Sequence, residues 1–368
     1  MRLAFYAPLK PPDHPVPSGD RQVAQLFLAA LRRAGHEPAL ASRFRSFEGR
    51  GDRDRQARLA ALGQKLAERF LRRCQAAPGR APDLWFTYHI YHKAPDWLGP
   101  RVARALRIPY VIAEGSFAPK QAGGAWDAGH RAAEHAIRRA DAVIGLNPSD
   151  RDCVLPLLAD PARGIAIKPF LDAGCYEPRM PADSGPVRLI AVAMMRPGDK
   201  LASYRVLGDA LLRLGDLDWL LEVVGDGAAR AEVAGALAPV ADRVVWAGAL
   251  GPAALARHLA AADLCVWPAV NEAFGMALLE AQASGLPVAA GAGGGVAQIV
   301  APGVSGLLVP PHDAAGFATA VRQLIVDRGL RARFAAAARQ RVLAEHDLPV
   351  AARRLAAVFE ALRPTHAA

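Results

Sequence analysis

Asn271 to Pro287 reads NEAFGMALLEAQASGLP. A short apolar run, Leu264 to Trp267, stands before it, and another, Val288 to Ala290, follows it. That order reads as strand, loop, helix, strand: one βαβ unit of a parallel sheet. The loop ends at Gly275, so the helix opens with bare backbone N–H groups. Such a start favours an anion, through its unpaired N–H groups and the macrodipole. Glu272 stands just before the helix and Glu280 lies inside it. Carboxylates accept hydrogen bonds from sugar hydroxyls, and backbone N–H groups donate to phosphate. The stretch suits a ligand that carries both. Taken singly, the two acids also read as ordinary helix-start carboxylates.

The same alternation extends outward. On the N-terminal side, Val187 to Met194 is a strand and Asp199 to Leu214 a helix. Trp219 to Val224 is a strand ending in Gly225-Asp226-Gly227, Val244 to Trp246 a strand, and Ala253 to Ala262 a helix. On the C-terminal side come Gly293-Gly294-Gly295, a short helix to Val300 and a strand, Leu307 to Val309. Helical periods over Ala314 to Val326, Leu330 to Glu345 and Pro349 to Leu362 close the chain.

The first half repeats the pattern. Strands are expected at Leu3 to Ala7, Glu37 to Ala41, Leu84 to Thr87, Tyr110 to Ala113, Ala142 to Gly145 and Ile165 to Ile167. Helices are expected at Gln22 to Ala34, Arg55 to Gln75, Arg101 to Leu106, Ala125 to Arg139 and Pro148 to Leu158. A Pro-rich loop, Pro8 to Pro17, leads into Ser18-Gly19-Asp20. Lys168 to Pro186, rich in Pro, Gly and Asp, reads as a linker. The expected domains are therefore 1–168 and 187–345, joined by 169–186. Each is a doubly wound parallel sheet, with ligands bound beyond the C-terminal strand ends in a cleft between the halves.

Length and composition agree with two globular α/β domains. The chain has 368 residues, 52% hydrophobic and 22% charged, which excludes a disordered protein. Cys74, Cys153, Cys175 and Cys265 are far apart and form no C-x-x-C, so neither a disulfide framework nor a structural zinc site is expected. The net charge of +10 suits anionic substrates, nucleic acid or an anionic membrane surface. The densest run, Arg43 to Arg58, reads either as a solvated face or as membrane-surface contact. Nucleic-acid binding is not expected, since no aromatic–basic motif accompanies the charge. Neither a signal peptide nor a run of about 18 apolar residues is visible, so a cytoplasmic protein is expected, at most peripheral to the membrane.

Several smaller features carry chemistry on one reading and none on another. Gly19 opens a helix after the first strand and lets a ligand approach the backbone, or merely makes a turn; it is not part of G-x-G-x-x-G. Arg196 and Lys200, in MMRPGDK, put two cations at a strand end, suited to a diphosphate or to plain surface charge. His89 and His92 have i, i+3 spacing but no third ligand, so packed or cleft-lining histidines are favoured over a metal site. Gly293 to Gly295 cradles a ligand or is a tight turn. Glu114 faces the cleft or caps the turn at Gly115-Ser116.

At these residues the chain resembles the retaining GT-B glycosyltransferases of family 4, also called glycosyl transferases group 1. The resemblance rests on E-x7-E, Glu272 to Glu280, with VAMMRPGDK, VVGDG, VVWAG, the GGG turn and GVSGLLVP around it in the family's order. The first half resembles the family loosely, through Ser18-Gly19-Asp20 and IKPFLDAGCY.

The resemblance implies two Rossmann-like domains facing each other across a cleft, with residues 349–368 packing back on the first. It implies a UDP- or GDP-type nucleotide-diphosphate sugar held by the second domain. Glu280 would take the ribose hydroxyls, Arg196 and Lys200 the leaving diphosphate, and Glu272 the donor sugar. Backbone at Phe274, Gly275 and Met276, with Gly225 nearby, would complete the donor site. The acceptor, a hydroxyl of a glycan, lipid-linked or small molecule, would lie near Ser18, Gly19, His89 and Glu114. No metal or other cofactor is implied. The chain departs from the family at Ser18-Gly19, where relatives carry Gly-Gly, at Glu114, where they carry His, and at Gln298, where Glu is common. These departures keep a second reading open: a catalytically weak nucleotide-sugar-binding or scaffold protein on the same fold.

Overall fold

A computed structural model of the chain describes residues 1–16, 18–179 and 184–362. Pro17 of the first loop, residues 180–183 of the expected linker and residues 363–368 at the C-terminus lie outside the described residues. The chain divides into two compact units, Met1–Ile167 with Leu348–Ala368, and Lys168–Asp347.

The first unit contains β1 (Arg2–Tyr6), α1 (Gly19–Arg33), β2 (Glu37–Ser42), α2 (Arg53–Ala76), β3 (Leu84–Ile90), α3 (Gly99–Leu106), β4 (Tyr110–Gly115), α4 (Asp127–Arg139), β5 (Ala142–Gly145), α5 (Pro148–Val154) and β6 (Gly164–Ala166). Its parallel sheet has the order β2-β1-β3-β4-β5-β6. Successive strand side chains face opposite sides, and Trp85 and Phe86 separate the two layers. Phe86 stands among Phe5, Phe27 and Phe359, with centroids 5.5 to 6.1 Å away. Trp85 belongs to the other layer, buried with Val102, Tyr110, Ile112, Ala136 and Ile137 beneath α3 and α4. A fully buried aromatic side chain of this kind contributes about 2–3 kcal/mol through removed apolar surface.

The second unit contains β7 (Val187–Val192), α6 (Asp199–Leu212), β8 (Trp219–Val224), α7 (Arg230–Leu237), β9 (Val244–Gly248), α8 (Pro252–Ala261), β10 (Leu264–Trp267), α9 (Met276–Ala283), β11 (Val288–Gly291), α10 (Val296–Ile299), β12 (Gly306–Val309), α11 (Ala314–Val326) and α12 (Arg328–Arg341). Its parallel sheet runs β12-β11-β10-β7-β8-β9. The last helix, α13 (Leu348–Ala361), belongs to the first unit, where Phe359 meets His36 at 5.2 Å.

Three local differences from the sequence expectation have physical causes. Helix α1 starts at Gly19 rather than Gln22, because the Ser18 hydroxyl caps it by accepting from Arg21 N at 3.3 Å. Helix α5 stops at Val154 and gives way to a 3₁₀ turn, Leu155–Leu157, since Pro156 disfavours the α conformation in the residue before it. Helix α7 has no separate sequence signal in the reading above; it follows the Gly225–Gly227 turn. The segment after Lys168 is tied into the second unit: Leu171, Ala173 and Tyr176 join its core, and Ala173 N donates to Asp347 Oδ1 at 3.0 Å. No helix among the described residues is long and apolar enough to cross a membrane.

Candidate functional site

The second unit carries the first group of expected site residues. Strand β10 ends at Trp267, and the chain turns through Ala269 and Asn271, both with left-handed φ (51° and 52°), to Gly275, also left-handed at 75°. The first N–H to bond back along α9 is that of Leu278, onto Gly275 O at 2.8 Å. The N–H groups of Gly275, Met276 and Ala277 therefore precede the hydrogen-bonded turns, as at any helix start. Phe274 and Met276, both partly buried, pack their side chains against the core.

This loop is braced from two sides. Asn271 Nδ2 donates to Asp199 Oδ2 (2.8 Å) and Val270 N to Ser203 Oγ (3.0 Å), which fastens it to the start of α6. Lys200, one residue into that helix, forms an ion pair with Glu272, and its ammonium lies 5.4 Å from the centroid of the Trp267 ring. Trp267 Nε1 donates to the same carboxylate oxygen at 3.3 Å. On the other side stands the Gly293–Gly295 turn. Gly295 N donates to Glu272 O and Ala273 O at 3.2 and 3.0 Å. A Cβ on Gly294 (φ 56°) would sit 1.9 Å from Glu272 O, so no other residue fits.

Gly225, expected to touch the donor, has a structural duty in its own right. It adopts φ 139°, and a Cβ there would meet Ala193 O at 1.9 Å. The turn it opens supports the loop after β7, where Met195 N donates to Asp226 O at 2.9 Å. That loop exposes Arg196, which among the described residues has no carboxylate partner.

Glu280 is buried on the inner side of α9, 7% exposed. Its neighbour is a residue the motif reading passed over. Tyr176 is hydrogen-bonded to Glu280; burial first, and then this carboxylate, push its phenol pKa up. Burial and the Glu280 charge likewise push the Cys265 thiol up to about 12. Tyr176 lies at the end of IKPFLDAGCY, whose Pro, Gly and Asp content signals a linker, so composition concealed it.

The first unit carries the second group. Ser18 spends its hydroxyl on capping α1, and Gly19 has nothing within 4 Å of the position a Cβ would take. His89, at the end of β3, and Glu114, at the end of β4, both have φ 59°, a left-handed conformation uncommon outside glycine. His89 Nδ1 is 2.8 Å from Asp20 Oδ1. Burial opposes the imidazolium, but the Asp20 hydrogen bond and the charges of Asp20, Glu114 and Asp150 outweigh it and raise the His89 pKa. Glu114 is 7% exposed and accepts from Leu146 N at 2.5 Å. Burial pushes its pKa up to about 7, against the opposing pull of that hydrogen bond and of His89. Asp150 is raised too, first by burial. Asp20 and Asp150 were not singled out by the sequence. Each stands at a strand-to-helix junction, Ser18-Gly19-Asp20 and Asn147-Pro148-Ser149-Asp150, which is the signal that locates them.

His92 is not drawn to His89. It lies against Tyr91 and Trp126, centroids 5.2 and 5.8 Å away, a packed histidine. Among the described residues no group of three or more His, Cys, Asp or Glu side chains is placed to hold a metal ion.

A loop braced from two sides at a helix start, an ion pair at its mouth and a buried carboxylate behind it stand on the second of two parallel six-stranded sheets. The chain has the GT-B fold: it matches sucrose-phosphate synthase from Thermosynechococcus elongatus with a TM-score of 0.72 at 22% identity, over 98% of this chain and 99% of that one. It matches the Anabaena protein HepE in complex with UDP-glucose with a TM-score of 0.71 at 19% identity, over 98% and 100% of the two chains. Residues 187–327 match the family described as Glycosyl transferases group 1. The D-inositol 3-phosphate glycosyltransferase of Nocardioides sp. is 32% identical over 233 residues, 56% of this chain and 50% of that protein. The chain thus spans about half the length of the curated relatives it matches.

Proposed function

We propose that the chain transfers a sugar from a nucleotide-diphosphate sugar to a hydroxyl of a glycan, lipid-linked or small-molecule acceptor, with retention at the anomeric carbon. The observation that carries this reading is the juxtaposition at α9: Lys200 paired with Glu272 at the helix start, and Glu280 held by Tyr176 inside it. The family of residues 187–327 and the likeness to a fold-mate bound to UDP-glucose support it.

Glu280 accepts from the ribose hydroxyls, with Tyr176 fixing the carboxylate's orientation. The N–H groups at Gly275 and Met276 donate to donor oxygens. Arg196 is the free cation for the diphosphate. Lys200 is already neutralised by Glu272, so the donor completes a triad: phosphate oxygens take one side of the ammonium while Glu272 turns to a hydroxyl of the sugar. In the reaction the bond from the anomeric carbon to the diphosphate oxygen breaks. The acceptor oxygen bonds that carbon on the same face, and its proton passes to the departing diphosphate. No metal is required in this scheme, because two cations and a helix start meet the developing charge.

Turnover with UDP-, GDP- and ADP-sugars, followed by mass spectrometry, tests the activity, and anomeric NMR couplings of the product test retention. Arg196→Ala is expected to lower kcat about a hundredfold, the size typical of losing one charge-stabilising donor. Excess chelator is expected to leave turnover unchanged. A β-configured product from an α-donor would sink the retaining mechanism. The second reading, a catalytically weak nucleotide-sugar-binding or scaffold protein, is favoured by one observation: Glu114, where the family resemblance implies His, is buried with its pKa pushed up to about 7. It predicts donor binding with neither transfer nor slow hydrolysis of the donor.

A further inference from the structure

The first unit holds a second concave site, apart from its strand ends. A groove of about 910 Å³ lies along α3 and α4, with Gln64 of α2 at its edge. Arg101, Arg104, Arg107, Arg131, His135 and Arg139 line it. Arg131, His135 and Arg139 are spaced i, i+4, i+8, so they form one stripe along α4. At 1.5 Å rise per residue the stripe is about 12 Å long, with an arginine at each end and an imidazole between them.

Part of this charge is neutralised locally, and the buried Asp96 carboxylate also lines the groove. Arg101 pairs with Glu68 at 2.9 Å and Arg131 with Asp127 at 2.5 Å. Among the described residues Arg104, Arg107 and Arg139 have no carboxylate partner. Arg107 is further unusual in its backbone. It caps α3 in the left-handed conformation (φ 54°, ψ 43°), the place where glycine is preferred.

We propose that this groove binds an anionic glycan, a sugar chain bearing phosphate, sulfate or carboxylate groups, as an exosite for a polymeric acceptor. The proposal rests on the reading of the chain as a sugar transferase. Its length is the first argument, since a stripe of about 12 Å exceeds one phosphate or carboxylate and fits a chain of them. Placement is the second. Helices α3 and α4 follow β3 and β4, whose ends carry His89 and Glu114, so the groove leads away from the expected acceptor residues. The lining is the third. Trp97 and the small Ala128 and Ala132 give an apolar floor between the cations, suited to sugar faces. Single-stranded nucleic acid needs a succession of aromatic platforms, and Trp97 is one ring. Insertion at a membrane surface needs exposed large apolar side chains, and none of the groove's lining residues is of that kind.

The test is a binding titration of the full chain by fluorescence anisotropy with a labelled heparin hexasaccharide as the probe. A neutral dextran hexasaccharide, a single-stranded oligonucleotide and phosphatidylserine vesicles run beside it. The variant is Arg104→Ala, Arg107→Gly, Arg139→Ala; glycine at 107 suits the left-handed backbone and protects folding. A control triple, Arg205→Ala, Arg257→Ala, Arg353→Ala, removes the same charge from exposed helix positions elsewhere. The proposal expects the heparin probe to lose about tenfold or more in affinity with the groove triple, to lose less than about twofold with the control, and the dextran probe not to bind. Equal losses in both triples would mean general electrostatics and overturn it, as would tighter binding of the oligonucleotide or the vesicles. A UDP-sugar titration of the same samples separates the two readings. Donor binding with no groove effect rejects the exosite alone, and a groove effect without donor binding rejects the transferase reading on which it rests.

Discussion

The two candidate site regions are built on opposite principles. In the second unit the charged groups come with their partners: Lys200 with Glu272, Glu280 with Tyr176, and the loop between them pinned to two neighbouring segments. In the first unit Asp20, Glu114 and Asp150 share one imidazole, His89, and burial pushes the Glu114 pKa up to about 7 and raises that of Asp150. A ligand meets a fixed mould in one region and a set of groups whose charge follows pH in the other.

The largest effect should come from breaking the mould. Gly294→Ala drives a Cβ into the Glu272 carbonyl, so the loop must move. Donor affinity by calorimetry is expected to fall at least about a hundredfold, or about 2.7 kcal/mol. An affinity within threefold of the parent would show that the bracing does not matter. Next is the buried carboxylate. Glu280→Ala is expected to weaken the donor by about 2 kcal/mol, and Tyr176→Phe, which removes only the orienting hydrogen bond, by about 1 kcal/mol. Equal losses would assign the tyrosine a direct contact instead.

The titrating region gives a smaller, pH-shaped effect. The Glu114 pKa is raised from 4.5 to about 7 in the fold. Its protonated form is favoured in the native state, so this contribution to stability is full below pH ~4.5 and is lost as pH rises through about 7. Glu114→Gln keeps the shape without the titration. Thermal melts should show the parent losing stability relative to this variant between those two pH values, and a constant difference would contradict the assignment. Smallest of all, Arg322→Ala removes an exposed pairing with Asp216. Its effect on the melting temperature is expected to be the smallest of the set, because solvent screens an exposed pair.

The same contrast governs what could be read in advance. The donor-side loop was legible because its residues are close in sequence: Glu272, Gly275 and Glu280 sit on one strand–loop–helix, and the alternating runs around them locate the sheet. Lys200 and Arg196 were legible as cations at a strand end, but the ion pair with Glu272 joins elements 72 residues apart, a contact no local pattern contains. Tyr176 was hidden by the turn-forming residues around it. In the first unit His89 and Glu114 were legible as strand-end residues. The left-handed backbone they share and the raised pKa of Glu114 were not, since burial is a property of the whole unit. Arg107 shows the converse, for a basic residue after a short helix looks like ordinary surface until its backbone conformation is known.

The close contacts of Gly225 and Gly294 also constrain how this half of the chain can change. Each glycine leaves room for the carbonyl of a different loop, Ala193 in one case and Glu272 in the other. The loops are consequently not interchangeable cassettes. A graft that imports a donor loop from a relative without the facing turn brings in a mismatched surface at a spacing of less than one side-chain atom. Any exchange of these loops would therefore have to move residues 268–276 together with 291–296 as one block, and treat the 193–196 and 225–227 turns as a second.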